Sequence, residues 1–208
     1  MNLYQFETQL WRNGHDFVAG CDEVGRGPLA GPVVAAAVIL DPDVTIPGLN
    51  DSKQLSHAKR VLLKQKIETH AIAYHVSFIG PNQIDQINIY QASRVAMLDA
   101  ISHLTPQPTY VLSDAMPLPQ LGIPYQDIIK GDQKSATIAA ASILAKVARD
   151  EYMIEMAKVY PGYGLERNMG YPTKEHKAAL QQLGPTPIHR MTYGPVRDWM
   201  LKQTKLDI

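Results

Sequence analysis

Eight consecutive apolar residues, Val33 to Leu40 (VVAAAVIL), constrain this chain more than any other feature. They follow a Gly/Pro-rich turn and have strand length, too short to span a bilayer. A strand apolar on both of its faces needs a cover on both, so the chain calls for a sheet with helices packed above and below it. The neighbouring patterns supply those parts. Residues 17–22 read as a short strand running into acidic residues, and residues 71–80 alternate like a strand. Residues 109–114 and 123–132 read as two further strands, each ending in a carboxylate. Helical spacing marks 56–70, where Leu62, Leu63 and Ile67 share one side, and also 81–104. The Ala-rich segment 134–160 is the clearest helix, and shorter helices follow at 174–183 and 196–205.

The predicted fold class is therefore α/β, with five strands in a sheet flanked by helices. The 208 residues, 45% of them apolar, suffice for one sizeable core. A Pro/Gly-rich span at 160–171 separates a sheet domain, 1–160, from a small helical C-terminal region, 161–208, within one compact unit. The N-terminus has no basic start followed by an apolar stretch, which gives no reason to expect a signal peptide. One cysteine, Cys21, rules out an internal disulfide and a cysteine-based zinc site. A cytoplasmic location is expected on that basis. Net charge is zero, but it is unevenly spread: residues 1–129 carry eight Lys/Arg against twelve Asp/Glu, and residues 130–190 carry nine against six. That split suits a cationic cofactor beside a polyanionic substrate, and equally suits ordinary scatter.

Chemistry-bearing residues gather at the predicted strand ends. Asp22 and Glu23 close the first strand, Asp114 another and Asp132 the last. Singly, each has a plain reading: a solvated turn for Asp22–Glu23, a turn before Pro117 for Asp114, a helix N-cap for Asp132. Together, four carboxylates repel one another unless cations hold them, and two divalent ions balance their charge. Oxygen-only ligation favours Mg²⁺ or Mn²⁺ and suits metal-assisted phosphodiester hydrolysis. The stretch Gly25-x-Gly27-x-x-Ala30 formally matches a dinucleotide fingerprint. That fingerprint must open a helix, whereas here Pro28 and Pro32 bracket it and a strand-type run follows. On the long helix, Ser142, Lys146 and Arg149 share a face, either as a phosphate track or as a solvated stripe. The Ser142–Lys146 spacing does not fit a Ser–Lys hydrolase.

Several blocks then coincide with one family. GCDEVGRGPLAGPVVAAAVIL, DSKQLS, LSDAM, IIKGDQKSATIAAASILAKVARD, NMGYPTKEH and GPTPIHR, in that order from Gly20 to Val196, resemble ribonuclease HII, the bacterial type 2 ribonuclease H. The resemblance implies a ribonuclease H-like fold with a mixed five-stranded sheet and an added helical C-terminal region. It also implies cleavage of RNA in RNA–DNA hybrids and nicking of duplex DNA 5′ of an embedded ribonucleotide. Asp22, Glu23, Asp114 and Asp132 become the metal-binding and catalytic set, with Asp22 bridging two Mn²⁺ or Mg²⁺ ions, Glu23 and Asp114 on one side and Asp132 on the other. Asp150 is read as a structural or helix-surface carboxylate. Gly25, Arg26 and Gly27 become the turn that grips the sugar–phosphate backbone, and Tyr171 the ring that senses the RNA-to-DNA junction. Ser52, Lys53, Ser142, Lys146 and Arg149 become backbone contacts. The chain departs from the family pattern at Pro172, in Gly-Tyr-Pro-Thr, and shows no long N-terminal extension. Its tail LKQTKLDI has no aromatic clamp-binding motif, and a monomer acting on nucleic acid away from membranes is expected.

Overall fold

The apolar run forms β2 (Val33–Leu40), and every residue of it is buried. In the computed structural model, which describes residues 2–206 and side chains through 203, β2 lies between β1 (Val18–Val24) and β3 (Ala71–Ile79). With β4 (Tyr110–Asp114) and β5 (Tyr125–Ile128) they make one sheet in the order β3-β2-β1-β4-β5. The β3-β2-β1 half is antiparallel, whereas β1-β4-β5 is parallel. The sheet is mixed, as expected. Because the chain builds β3 on one side of β1 and then crosses to place β4 on the other, the switch point falls between β1 and β4. In open α/β sheets the crevice at the carboxyl ends of such strands is where ligands bind.

Alternation along the strands divides the core. Ala19, Cys21, Val33, Ala35, Ala37 and Ile39 face a layer containing α4 (Ile89–Ser102). Val34, Ala36, Val38 and Leu40 face α2 (His57–His70) and α5 (Ala136–Val159). Small residues bring α5 very close. A Cβ built on Gly20 would lie 2.2 Å from the Thr137 carbonyl carbon, so only glycine permits this approach. The helix is anchored at its start by α1 (Gln5–Arg12): buried Glu7 accepts from Ser135 Oγ, Thr137 N and Thr137 Oγ1 at 2.5–3.0 Å.

Three short helices, α6 (Leu165–Asn168), α7 (Lys174–Leu183) and α8 (Gly194–Leu206), follow α5. They attach to the turn between β1 and β2. Leu29 N donates to Gly170 O, Gly31 N to Ile188 O, and Arg190 N to Leu29 O, each at 2.8 Å. Three features depart from the sequence reading. Helix α1 was not anticipated. The single helix expected over 81–104 is two, α3 (Pro81–Ile87) and α4, split at Asn88, whose φ of 66° interrupts the helix while its side chain caps the next one. The fifth strand stops at Ile128, so Asp132 lies in a 3-10 turn, Gly131–Gln133, and Ser135 caps α5 instead. The tail LKQTKLDI, 201–208, falls partly outside the described residues. No described helix is long and apolar enough to cross a membrane.

Candidate active site

The switch point is lined with carboxylates. Asp22 projects from β1 toward α5, and Asp114 ends the neighbouring β4. Asp132 reaches the same spot from the 3-10 turn, which is tied down because Gly131 N donates to Asp114 Oδ1 at 2.7 Å. One oxygen from each of Asp22, Asp114 and Asp132 lies within 4.8 Å of the others. Glu23 is not part of that trio. The strand continues to Val24, so consecutive residues take opposite faces, and the expected single cluster of four is three plus one. Glu23 Oε1 instead accepts from Arg26 Nη1 at 3.3 Å, while its Oε2 is buried with no hydrogen-bond partner among the described residues.

The electrostatics are those of anions short of countercharge. Burial, followed by the charges of Glu23 and Asp114, pushes the Asp22 carboxyl well above the usual range, and the Ser142 hydroxyl offsets only part of this. Burial raises Asp114 despite the Gly131 N–H. Asp132 is pushed up to about 6 by burial and by Asp114 and Asp51. Glu23 also rises through burial, against the pull of Arg26. Lys53 is the nearby cation: burial works against its charge, but Asp22, Asp132, Asp51 and Asp114 together hold it above its ordinary value. All-oxygen donors, raised carboxyls and an orphaned Glu23 oxygen fit hard divalent cations.

Beside the carboxylates runs a groove of about 180 Å³ lined by Glu23, Gly25, Arg26, Gly27, Lys53 and Tyr171. Six residues singled out from sequence thus meet in one place. Lys53 is delivered by a 3-10 turn, Ser52–Gln54, whose cap Asp51 accepts from Lys53 N at 2.9 Å and from Gln133 Nε2 at 3.3 Å. The other expected backbone contacts do not line this groove. Arg149 has no exposed surface and donates to three carbonyls, Pro32, Met169 and Ala30, at 2.9–3.1 Å. It ties the long helix to the turn and to the Tyr171 loop, which corrects its reading as a substrate contact. Ser142 and Ser52 are buried against each other at 2.8 Å, and Lys146 is held by Asp150 at 2.6 Å. Of the two readings of Asp150 the structural one holds, since it is buried and Arg60 also pairs with it.

Sequence reasoning overlooked Asp51, Glu7, His189 and Arg190. Asp51 opens the DSK block and could have been found as a carboxylate preceding a lysine; the others act through distant contacts that no local pattern encodes. A second polar group, His75, Asp99 and His103, lies against α4 on the opposite face of the sheet. Its two rings stack at 4.6 Å and 16°, so their in-plane lone pairs do not converge on one ion.

Known proteins resemble this chain in sequence and in fold. The family model described as Ribonuclease HII matches residues 19–196. The ribonuclease HII of Oceanobacillus iheyensis is 54% identical over 199 residues, covering 96% of this chain and 76% of that protein. Among solved structures, ribonuclease H2 from Pyrococcus horikoshii superposes with a TM-score of 0.78 at 27% identity, over 91% of this chain and 99% of the other. The ribonuclease HII of Archaeoglobus fulgidus, solved as a complex with PCNA, gives 0.74 at 26% identity, over 86% and 95%. The chain belongs to the ribonuclease HII family and is an endoribonuclease.

Proposed function

We propose that this endoribonuclease hydrolyses the RNA strand of RNA–DNA hybrids and nicks duplex DNA 5′ of a single embedded ribonucleotide, leaving a 3′-hydroxyl and a 5′-phosphate. The observation that carries the reading is the adjacency of the Asp22–Asp114–Asp132 trio to a groove that joins a glycine turn, a lysine and a tyrosine ring.

The turn's peptide geometry explains how it would read a backbone. Arg190 Nη2 donates to Gly25 O at 2.6 Å, and Arg190 Nη1 to Arg26 O at 2.9 Å. In a trans peptide the N–H points opposite to the C=O. With both carbonyls turned inward to the buried guanidinium, the Arg26 and Gly27 N–H groups point away from it, as donors for a phosphate or a 2′-oxygen. Across the groove the Tyr171 ring, 38% exposed, offers a face for the adjoining sugar. A Cβ on Gly27 would stand 3.8 Å from Tyr171 Cε1, so glycine there keeps the space between the two walls open. Lys53 supplies a fixed positive charge toward the scissile phosphate.

Asp22 and Asp132 would hold one cation, and Asp22, Asp114 and Glu23 a second. Mg²⁺ or Mn²⁺ in those positions supplies Lewis-acid charge to lower the pKa of the attacking water and to stabilise the leaving oxygen. Gly131 N–H fixes the orientation of Asp114, and the Asp22 Oδ1 acceptor bond from Glu23 N, 2.7 Å, fixes Asp22. The C-terminal region completes the groove by carrying Tyr171. We take the chain to act as a cytoplasmic monomer; light scattering in solution at 23.1 kDa checks the monomer.

The test is a labelled DNA duplex containing one ribonucleotide, incubated with Mg²⁺, Mn²⁺ or EDTA beside an all-DNA duplex and an RNA–DNA hybrid. The expected result is metal-dependent nicking 5′ of the ribonucleotide with the all-DNA control intact. Cutting of the hybrid alone would refute the single-ribonucleotide reading, and cutting in EDTA would refute the metal requirement.

A further inference from the structure

The two walls of the groove are held from behind by neighbouring residues of one segment. Arg190, fully buried, grips the glycine turn: besides Gly25 O and Arg26 O it donates to Gly31 O from Nε at 3.0 Å and from Nη2 at 2.9 Å. His189, 1% exposed, serves the opposite wall through His176, itself fully buried. Thr186 N lies 3.0 Å from His189 Nδ1, His189 Nε2 lies 3.1 Å from His176 Nε2, and His176 Nδ1 lies 3.0 Å from Tyr171 O.

The proton positions in this chain follow from its two ends. A backbone N–H can only donate, so His189 Nδ1 is an acceptor and its ring proton sits on Nε2. That proton points at His176 Nε2, which must accept. The His176 proton is therefore on Nδ1, where it donates to the Tyr171 carbonyl. Both rings are neutral, each in a single tautomer, and the chain runs in one direction from Thr186 to Tyr171. An isolated bridge between His189 and Ala30, inside the β1–β2 turn, locks the same segment to the turn's far side.

We propose that His176, His189 and Arg190 form one positioning unit that sets the separation between Tyr171 and the Gly25–Gly27 turn, and thereby governs cutting at isolated ribonucleotides. The proposal rests on the endonuclease reading above. A hybrid presents a 2′-hydroxyl at every nucleotide of its RNA strand, so the substrate can engage in many registers. A lone ribonucleotide presents one, and the turn and the ring must meet it and its neighbour simultaneously. Displacement of either wall by about 1 Å, enough to cost on the order of 100-fold where positioning is decisive, falls mainly on the second substrate.

Two variants separate positioning from general support. His176→Leu fills the space without a donor, whereas His176→Asn places an amide N–H near the former Nδ1 and can still reach Tyr171 O. On the single-ribonucleotide duplex, His176→Leu should lose about tenfold or more in kcat/KM, with a loss on the hybrid of about threefold or less, and His176→Asn should recover most of it. In a Tyr171→Ala background the His176→Leu change should cost nothing further, because the two act as one unit. Equal losses on both substrates, or losses that multiply with Tyr171→Ala, would overturn the proposal while leaving the endonuclease reading intact. A wild-type chain that cuts neither substrate overturns that reading and the proposal with it. Long-range ¹H–¹⁵N spectra of the free protein give an assay independent of turnover and of variant folding. They should show His189 protonated on Nε2 and His176 on Nδ1, and any other pair of tautomers refutes the chain of bonds.

Discussion

Arg149→Lys distinguishes a buried weld from a nucleic-acid contact. The guanidinium donates to Pro32, Ala30 and Met169 carbonyls and stays charged at neutral pH, although burial and the nearby Arg190 bring it down to about 10. A lysine ammonium cannot reproduce three bonds laid out in a planar fork and reaches one of these carbonyls well. Two buried carbonyls then lose their partner, at about 1–3 kcal/mol each, for a total near 2–6 kcal/mol. With a urea m-value of about 2 kcal/mol/M for a domain of this size, the midpoint should fall by about 1–3 M. The second assay is the salt dependence of binding to a hybrid by an otherwise folded sample. Each lost phosphate contact lowers the log–log slope by about 0.9 for a B-form duplex, and Arg149→Gln, which removes the charge that lysine keeps, should leave the slope unchanged. An unchanged urea midpoint together with a slope reduced by one contact would refute the burial argument and return Arg149 to the substrate.

Other consequences are as direct. Asp114→Asn keeps an acceptor for Gly131 N–H, so it should melt like wild type and bind hybrid equally, yet lose about 100-fold or more in turnover; full turnover removes Asp114 from the mechanism. Gly20→Ala drives a methyl into the Thr137 backbone at 2.2 Å and should cost about 3 kcal/mol or more, read as a thermal melt. A melt within a degree of wild type would mean that α5 is not seated on β1 as described. His189 is held down to about 4 by burial and by His176, against the pull of Thr186, with Tyr163 as its other neighbour. The unfolded chain takes up this proton near pH 6.5 and the native one only near 4, so this contribution is complete above pH 6.5 and is lost as the pH falls toward 4, by about 3 kcal/mol at most. Urea midpoints at pH 7 and pH 5 should therefore converge more in His189→Gln than in wild type, and parallel shifts would disprove the linkage.

The legible parts of this molecule are those whose physics is local. An eight-residue apolar strand announces a sheet covered on both faces, and helical patterns at 56–70 and 174–183 announce α2 and α7, which Ser56 and Thr173 cap. The acidic set was legible because strands end in crevices, although the register of β1 was not: it extends two residues past Asp22, which turns Glu23 to the other face. The Ser142–Lys146–Arg149 stripe was misleading for a related reason. Spacing shows that three residues share a helix face, but not that this face of α5 packs on β1, β2 and the turn rather than on water. Polar residues on such a face are used inside the protein, and Arg149 satisfies carbonyls that no regular element pairs.

That use of buried arginines explains how a turn of glycines can be a rigid recognition element. Gly25 and Gly31 sit at φ of 94° and 86°, conformations that glycine enters freely and that nothing in their own chemistry maintains. A Cβ on Gly25 would strike Arg149 Nε at 2.3 Å, and one on Gly31 would strike Met153 Sδ at 2.3 Å, so the same missing side chains that loosen the turn also admit the groups that fix it. Arg149 and Arg190 between them take the carbonyls of residues 25, 26, 30, 31 and 32. The Gly25 and Arg26 carbonyls taken inward send the Arg26 and Gly27 N–H groups outward, while Gly31 N–H is used inside the protein by Ile188 O. The cost of burying two guanidiniums is thus converted into a preset pair of donors facing the groove, which a flexible glycine loop in water could not hold.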